Sequence, residues 1–222
     1  MALFLGCAFL SRQLAIYTTV FVMAILIDKS DGDFKQILKE LALFGIVFSC
    51  FIGIYLYMNY MRFGDPFDTG YEYIIAHPHR NLAGSRYGLF HYKYVIFNFV
   101  YMFLQGPHVV FEGLTPRTMD LFGTSLTFAS PFVFLAAMAK GKKVLIAGAW
   151  ISIGLCVIHM LLYCNNGWVQ INTQRFTLDF LPLLIVLVAM SAKNIDRKWY
   201  YMTISYAIAL NIYAFIIIAL LN

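Results

Sequence analysis

Residue types that bind phosphates and hydroxyls are concentrated in one short segment, Asn59–Tyr73, which reads NYMRFGDPFDTGYEY. Arg62 could bind a phosphate, because a guanidinium donates paired, charge-assisted hydrogen bonds to such an anion. Asp65, Asp68 and Tyr71 could form hydrogen bonds with sugar hydroxyls. The segment therefore predicts a pocket for a sugar or a lipid headgroup. A belt of interfacial aromatic residues would explain its tyrosines and phenylalanines as well.

Three charged residues elsewhere suit the same ligand. Arg175 and Asp179 lie four residues apart. In an α-helix they would share a face, either as a local ion pair or as ligands for a phosphate and an acceptor hydroxyl. Arg175 would also serve as an interfacial anchor for the apolar run that follows. Arg12 lies inside an apolar run, where a charge costs roughly 2.5 kcal/mol or more, so we expect it to face the bundle or a cavity. There it would pair with an acid or contact a lipid phosphate.

The histidines and cysteines do not predict a metal site. His77 and His79 have the His-x-His spacing that can bind zinc, and His91 follows, but no cysteine or carboxylate lies at a convincing spacing. We interpret them as part of a solvated loop. His108 and His159 are isolated in the sequence. The four cysteines are scattered and form no C-x-x-C pair, so neither zinc nor a disulfide framework is expected.

The composition places these residues in a membrane protein. Of 222 residues, 61% are hydrophobic and 12% are charged, whereas soluble domains average about 45–50% and about 25%. A soluble core of this size could not cover so much apolar surface. A secreted disulfide scaffold, a disordered chain and a soluble nucleotide-binding enzyme do not fit. The net charge of +5 does not predict a nucleic-acid partner, because in a membrane protein the placement of Lys and Arg matters more than their sum.

The elements that must position the charged residues are apolar helices. A span needs about 20 apolar residues to cross roughly 30 Å of hydrocarbon, and the chain is expected to be one all-α polytopic domain over residues 1–222. The predicted spans are 5–27, 41–60, 121–139, 144–164, 176–192 and 200–221. The apolar run 94–104 is too short to cross. We predict that it lies in the interface, within a large external loop over 61–120.

The cations predict the orientation of these spans. Nine of the 16 Lys and Arg residues fall in three short connections, 28–40, 140–143 and 193–198. The positive-inside rule places these connections in the cytoplasm and the loop 61–120 outside. A third crossing made by residues 94–111 would instead put the connection 140–143 outside. The expected location is the inner (plasma) membrane, with several crossings.

Four segments together resemble one family. The pattern N-Y-x-R-F-G-x-P-F-x-x-G-Y directly after a span resembles a motif of bacterial membrane glycosyltransferases of the GT-C type, the polyprenyl-phosphate-sugar-dependent, protein mannosyltransferase-like family. Leu5–Tyr17 resembles that family's G-x-A-x-x-x-R span. Gly123–Phe132 resembles the span entry after its interface helix. Gly167–Pro182 resembles its late external loop, where an Arg and aromatic residues precede a Pro-containing span.

The resemblance implies transfer of a sugar from a polyprenyl-phosphate donor to an acceptor on the external face, with no cofactor. It implies that Arg62, Arg175 and Arg12 contact the lipid phosphate. The family's catalytic acid lies in a first external loop that has no counterpart here, so the catalytic residue is unknown. The chain is expected to be a C-terminal half that works with a missing N-terminal half or a partner membrane subunit.

Two other functions remain open from the sequence. Arg12, Asp179 and the Pro182 break would suit a transporter or flippase of a lipid-linked sugar. A scaffold without catalytic activity would bind a partner through the large external loop. Inverted internal symmetry would favour the transporter, and the sequence shows none by eye.

Overall fold

The computed structural model describes residues 1–30, 32–71, 87–119, 123–164 and 175–221. Helices form nearly all of the regular structure, as expected for an all-α protein. The α-helices are α1 (Ala2–Ser11), α2 (Thr18–Lys29), α3 (Phe34–Phe63), α4 (Val95–Phe99), α5 (Leu126–Ala129), α6 (Lys143–Leu162), α7 (Leu181–Ser191) and α8 (Arg197–Leu221). Shorter 3₁₀ helices cover Gln13–Tyr17, Tyr92–Tyr94, Pro131–Met138 and Arg175–Asp179, and a π-helical segment covers Val100–Leu104.

Within those ranges, the strands β1 (Val109–Glu112) and β2 (Thr115–Met119) form one antiparallel hairpin in the predicted external loop. The described chain divides into two compact units. Unit 1 comprises residues 1–89 and 141–156, and unit 2 comprises residues 90–140 and 157–222. The helix α6 is continuous and contributes to both.

Two helices, α3 and α6, are long and apolar enough to cross a membrane, which supports a membrane protein. They contain the predicted span 41–60 and nearly all of the predicted span 144–164. The helix α3 begins where Asp33 accepts hydrogen bonds from the N–H groups of Lys35 and Gln36, and it ends at Gly64. A side-chain cap before an apolar run is a typical helix start.

The count of six spans is not confirmed. The predicted span 5–27 is divided at Arg12, whose backbone is extended (φ −147°, ψ 111°), and α1 and α2 are each shorter than the roughly 30 Å that a crossing requires. The predicted span 121–139 is interrupted at Ser130, between α5 and a 3₁₀ helix. The predicted span 176–192 combines a 3₁₀ turn with the 11-residue α7.

Unit 1 is built by two close helix pairs. In the first, the ring of Phe9 on α1 meets the rings of Phe48 and Tyr55 on α3 edge-on, with centroids 5.6 and 5.3 Å apart. In the second, α2 approaches α6 at Ala24 and Gly148, where a Cβ on the glycine would lie within 3.0 Å of the alanine Cβ. The backbone N–H of Phe21 donates to Ser152 Oγ (3.1 Å) in the same interface.

Two lysine-rich connections lie at the same end of unit 1. Lys142 and Asp28 form an ion pair (2.9 Å), and Lys29 pairs with Glu40 (3.1 Å). Exposed pairs of this kind add little stability, but the Lys142–Asp28 pair shows that the connections 28–40 and 140–143 are neighbours. Both α3 and α6 therefore start at this end. This arrangement agrees with a common cytoplasmic side, whereas a third crossing by residues 94–111 would separate the two connections.

Candidate functional site

The segment after α3 folds into a compact turn. Gly64 ends the helix with a left-handed backbone (φ 78°), and its N–H donates to the carbonyl of Tyr60 (2.9 Å). The N–H of Asp68 then donates to the carbonyl of Asp65 (3.3 Å). Pro66 occupies the second position of this turn, where its fixed φ is favoured. The residues of the N-Y-x-R-F-G-x-P-F motif thus have a local structural role.

Both aspartates of the motif help to hold this turn. Oδ1 of Asp65 accepts from the N–H of Phe67 (2.8 Å), and Oδ1 of Asp68 accepts from the N–H of Gly70 (2.7 Å). Gly70 has φ 72° and lies against the ring of Phe63, where a Cβ would not fit. One oxygen of each carboxylate is therefore committed to the turn.

The charged and aromatic side chains around this turn differ in exposure. Arg62, in the last turn of α3, is exposed, as are Asp65 and Tyr71, whereas Asp68 is half-buried. The four predicted ligands are thus close in sequence, in unit 1. They follow one another at the carboxyl end of α3, and the next residues, 72–86, lie outside the described part of the chain.

A second group of site residues surrounds the carboxyl end of α6, in unit 2. Asn98 is 2% exposed, and its Nδ2 donates to the carbonyls of Met160 (3.1 Å), Leu161 (3.1 Å) and Tyr163 (2.8 Å). The last carbonyls of a helix have no partner within the helix. The side-chain amide of Asn98, on the predicted interfacial helix, is the hydrogen-bond donor for these carbonyls. It therefore fixes where α6 ends.

The chain before the 3₁₀ turn Tyr92–Tyr94 is joined to the same helix end. Phe90 and Tyr163 form an antiparallel β-bridge, and the N–H of His91 donates to the carbonyl of Leu162 (2.9 Å). His91 Nδ1 accepts from the N–H of Lys93 (3.2 Å), so this nitrogen serves a local cap.

Rings from three segments meet at this helix end. Phe90 lies against His159 and Tyr163, with centroids 4.9 and 5.6 Å apart, and Tyr163 lies 6.1 Å from Phe176. The exposed guanidinium of Arg175 lies 5.7 Å from the centroid of the Phe176 ring. We call these residues, together with Asp179, the α6-end cluster; its members are Phe90, His159, Tyr163, Arg175, Phe176 and Asp179.

His159, which is isolated in the sequence, has neighbours from a distant segment in the fold. Its ring lies edge-on to the ring of Phe90, with centroids 4.9 Å apart. A titratable side chain within a candidate span is itself a signal of function, and this signal could have identified His159 from the sequence.

Arg175 and Asp179 lie in a 3₁₀ helix, not in the α-helix that their spacing suggested. Residues three apart eclipse in a 3₁₀ helix. Asp179 therefore aligns with Phe176, while Arg175 aligns with Leu178. The buried Thr177 and Phe180 anchor this short helix in unit 2. Phe176 thus lies on the same face of this short helix as Asp179, and its ring also lies next to the guanidinium of Arg175.

The predicted ligands fall into both units. Arg12, Arg62, Asp65, Asp68 and Tyr71 belong to unit 1, and Arg175 and Asp179 belong to unit 2. Arg12 is exposed at the break between α1 and the following 3₁₀ helix, which differs from the expected position facing the bundle or a cavity.

No group of three His, Cys, Asp or Glu residues suited to a metal occurs in the part of the chain that the structure describes. His77 and His79 fall outside it. No family model, curated protein or solved structure matches this chain.

Proposed function

We propose that this chain is the lipid-binding portion of a membrane glycosyltransferase that moves a sugar from a polyprenyl-phosphate donor to an acceptor on the external face. The observation that carries the proposal is the α6-end cluster. It combines an exposed arginine, several aromatic rings and a carboxylate at the end of a helix long enough to cross a membrane.

Each part of the cluster suits one part of this donor. The guanidinium of Arg175 binds the phosphate through paired hydrogen bonds. The rings of Phe90, Tyr163 and Phe176 present apolar surface to the sugar ring and to the first isoprene unit. Asp179 accepts hydrogen bonds from hydroxyls. In unit 1, Arg62 places a second cation at the end of the other candidate span, α3.

Loss of the Arg175 side chain should weaken donor binding. We expect Arg175→Ala to raise the Kd for a polyprenyl-phosphate sugar by roughly 10–100-fold, because a hydrogen bond to a charged group contributes about 1.5–3 kcal/mol. Arg62→Ala should weaken binding as well. The measurement is a titration of the donor into protein purified from its native membrane with any chain that accompanies it.

Arg197→Ala is the matched control for this titration, since it removes an exposed arginine from the connection 193–198, on the predicted cytoplasmic side. Its Kd should equal that of the wild type. Unchanged Kd values in both Arg62→Ala and Arg175→Ala would contradict the phosphate assignment.

The proposed topology has six crossings in the inner membrane with the connection 140–143 in the cytoplasm. A cysteine at the exposed Gly141 should therefore react with a membrane-impermeant maleimide only from the cytoplasmic side, in a background without the exposed Cys7 and Cys50. Thr69→Cys, also exposed, should react only from outside. External labelling of Gly141→Cys would overturn this topology.

One observation favours a transporter of a lipid-linked sugar as the second candidate. The chain is interrupted at Arg12 between α1 and α2, and transporters commonly bind substrate at interrupted helices. Movement of a fluorescent lipid-linked sugar across sealed vesicles, without any sugar transfer, would support this function over the first.

A further inference from the structure

The β1–β2 hairpin of unit 2 has an apolar tip that its turn does not require. The strands are joined by Gly113 and Leu114, and Gly113 has φ 62°. Such two-residue turns favour Gly, Asn or Asp at the central positions. Leu114 is instead 99% exposed, and Phe111 beside the turn is 56% exposed.

We propose that this tip, Phe111 and Leu114, inserts into the outer leaflet of the bilayer as a shallow membrane anchor. The strand β2 contacts α8, a 25-residue helix with an apolar sequence that is predicted to cross the membrane. The hairpin therefore lies beside a helix that is expected to be surrounded by lipid. A leaflet is the apolar phase nearest to the tip.

The size of the apolar surface favours lipid over a protein partner. Among the side chains of the hairpin whose exposure the structure describes, Phe111 and Leu114 are the large exposed apolar ones, whereas a stable protein interface buries about 800 Å² on each partner. Insertion into lipid requires no minimum buried area, because aromatic and aliphatic side chains partition into the membrane interface individually.

The backbone limits the depth of insertion. The backbone N–H and C=O groups of the two strands form hydrogen bonds with one another along the shared edge. Within hydrocarbon, the backbone groups on the outer edges of a two-stranded hairpin would have no hydrogen-bond partners. The ionisable Glu112 lies directly before the turn, and Arg117 follows three residues after Leu114. The turn can therefore enter the leaflet while the strands stay at headgroup level.

The test is the environment of a nitroxide spin label at Leu114→Cys. The protein, with its four native cysteines replaced by alanine, is reconstituted into vesicles of phosphatidylcholine and phosphatidylglycerol. Collision rates are measured with oxygen, which concentrates in lipid, and with a neutral nickel chelate, which stays in water. A fully exposed side chain can be replaced and labelled without disturbing packing, and an unchanged melting temperature confirms this.

Two reference positions calibrate the result. Ile54→Cys lies exposed on the apolar α3, and Asn194→Cys lies exposed in the connection 193–198. The oxygen-to-nickel collision ratio at Leu114 should resemble that at Ile54 and exceed that at Asn194. A ratio equal to that at Asn194 would place the tip in water, and shielding from both reagents would place it against protein. Either result overturns the anchor.

Discussion

Replacing Asn98 by aspartate should destabilise unit 2 by roughly 3 kcal/mol or more, because a buried carboxylate would face three carbonyl oxygens that now accept hydrogen bonds. The carboxylate has no N–H to donate. It would be buried either charged and unpaired, which is costly, or protonated with a single donor for three acceptors. Asn98→Leu should cost less, since it removes the donors without adding a charge.

The melting temperature of the protein in nanodiscs, followed by intrinsic fluorescence, measures this effect. Asn194→Asp makes the same chemical change at an exposed loop position, and it should leave the melting temperature nearly unchanged. If Asn98→Asp and Asn194→Asp have the same melting temperature, the side-chain amide of Asn98 does not hold the end of α6. The proposed donor site would then need another explanation for its geometry.

The helical fold class of the protein and its two candidate spans, α3 and α6, follow from composition and from the length of apolar runs. A continuous run such as 41–60 predicts a helix because every backbone group must be satisfied within lipid. The cations also predict that the connections 28–40 and 140–143 lie on one side, and the Asp28–Lys142 ion pair agrees with a common side. These features depend on local sequence alone.

The two clearest interruptions of the predicted spans differ in whether the local sequence explains them. Arg12 is extended although neither Gly nor Pro lies near it, and nothing in its neighbourhood explains the break. The interruption at Ser130 precedes Pro131, which removes an N–H and restricts the preceding residue. The sequence contains that signal, but the apolar character of the run 121–139 outweighed it in the prediction.

The α6-end cluster contains two of the residues that the sequence predicts as ligands. Arg175 and Asp179 were identified by residue type, yet the partners that surround them come from distant segments. Asn98 contacts carbonyls 62 to 65 residues away, and Phe90, within the predicted external loop, contacts His159 on α6. Such pairings depend on tertiary packing, so residue spacing does not reveal them. In the sequence, nothing distinguishes Asn98 or Phe90 from other residues of a membrane interface.

Adding a methyl group at Gly148 should separate α2 from α6. A Cβ at this position would lie within 3.0 Å of the Ala24 Cβ, and both atoms are attached directly to backbone, so the helices themselves must move. Overpacking of this kind costs about 1–3 kcal/mol. Small residues commonly permit such close approach between membrane helices. The hydrogen bond from Phe21 to Ser152 lies in the same interface and should lengthen with it.

Gly154→Ala provides the matched control, because it makes the same substitution six residues later on α6, where nothing lies within 4 Å of the added Cβ. Alanine is the better helix former by about 0.8–1 kcal/mol, so this variant should melt at or above the wild-type temperature. Gly148→Ala should melt below it, and Gly148→Leu lower still. Equal melting temperatures for Gly148→Ala and Gly154→Ala would show that α2 and α6 are not in close contact. The pairing of their lysine-rich ends would then lose its structural basis.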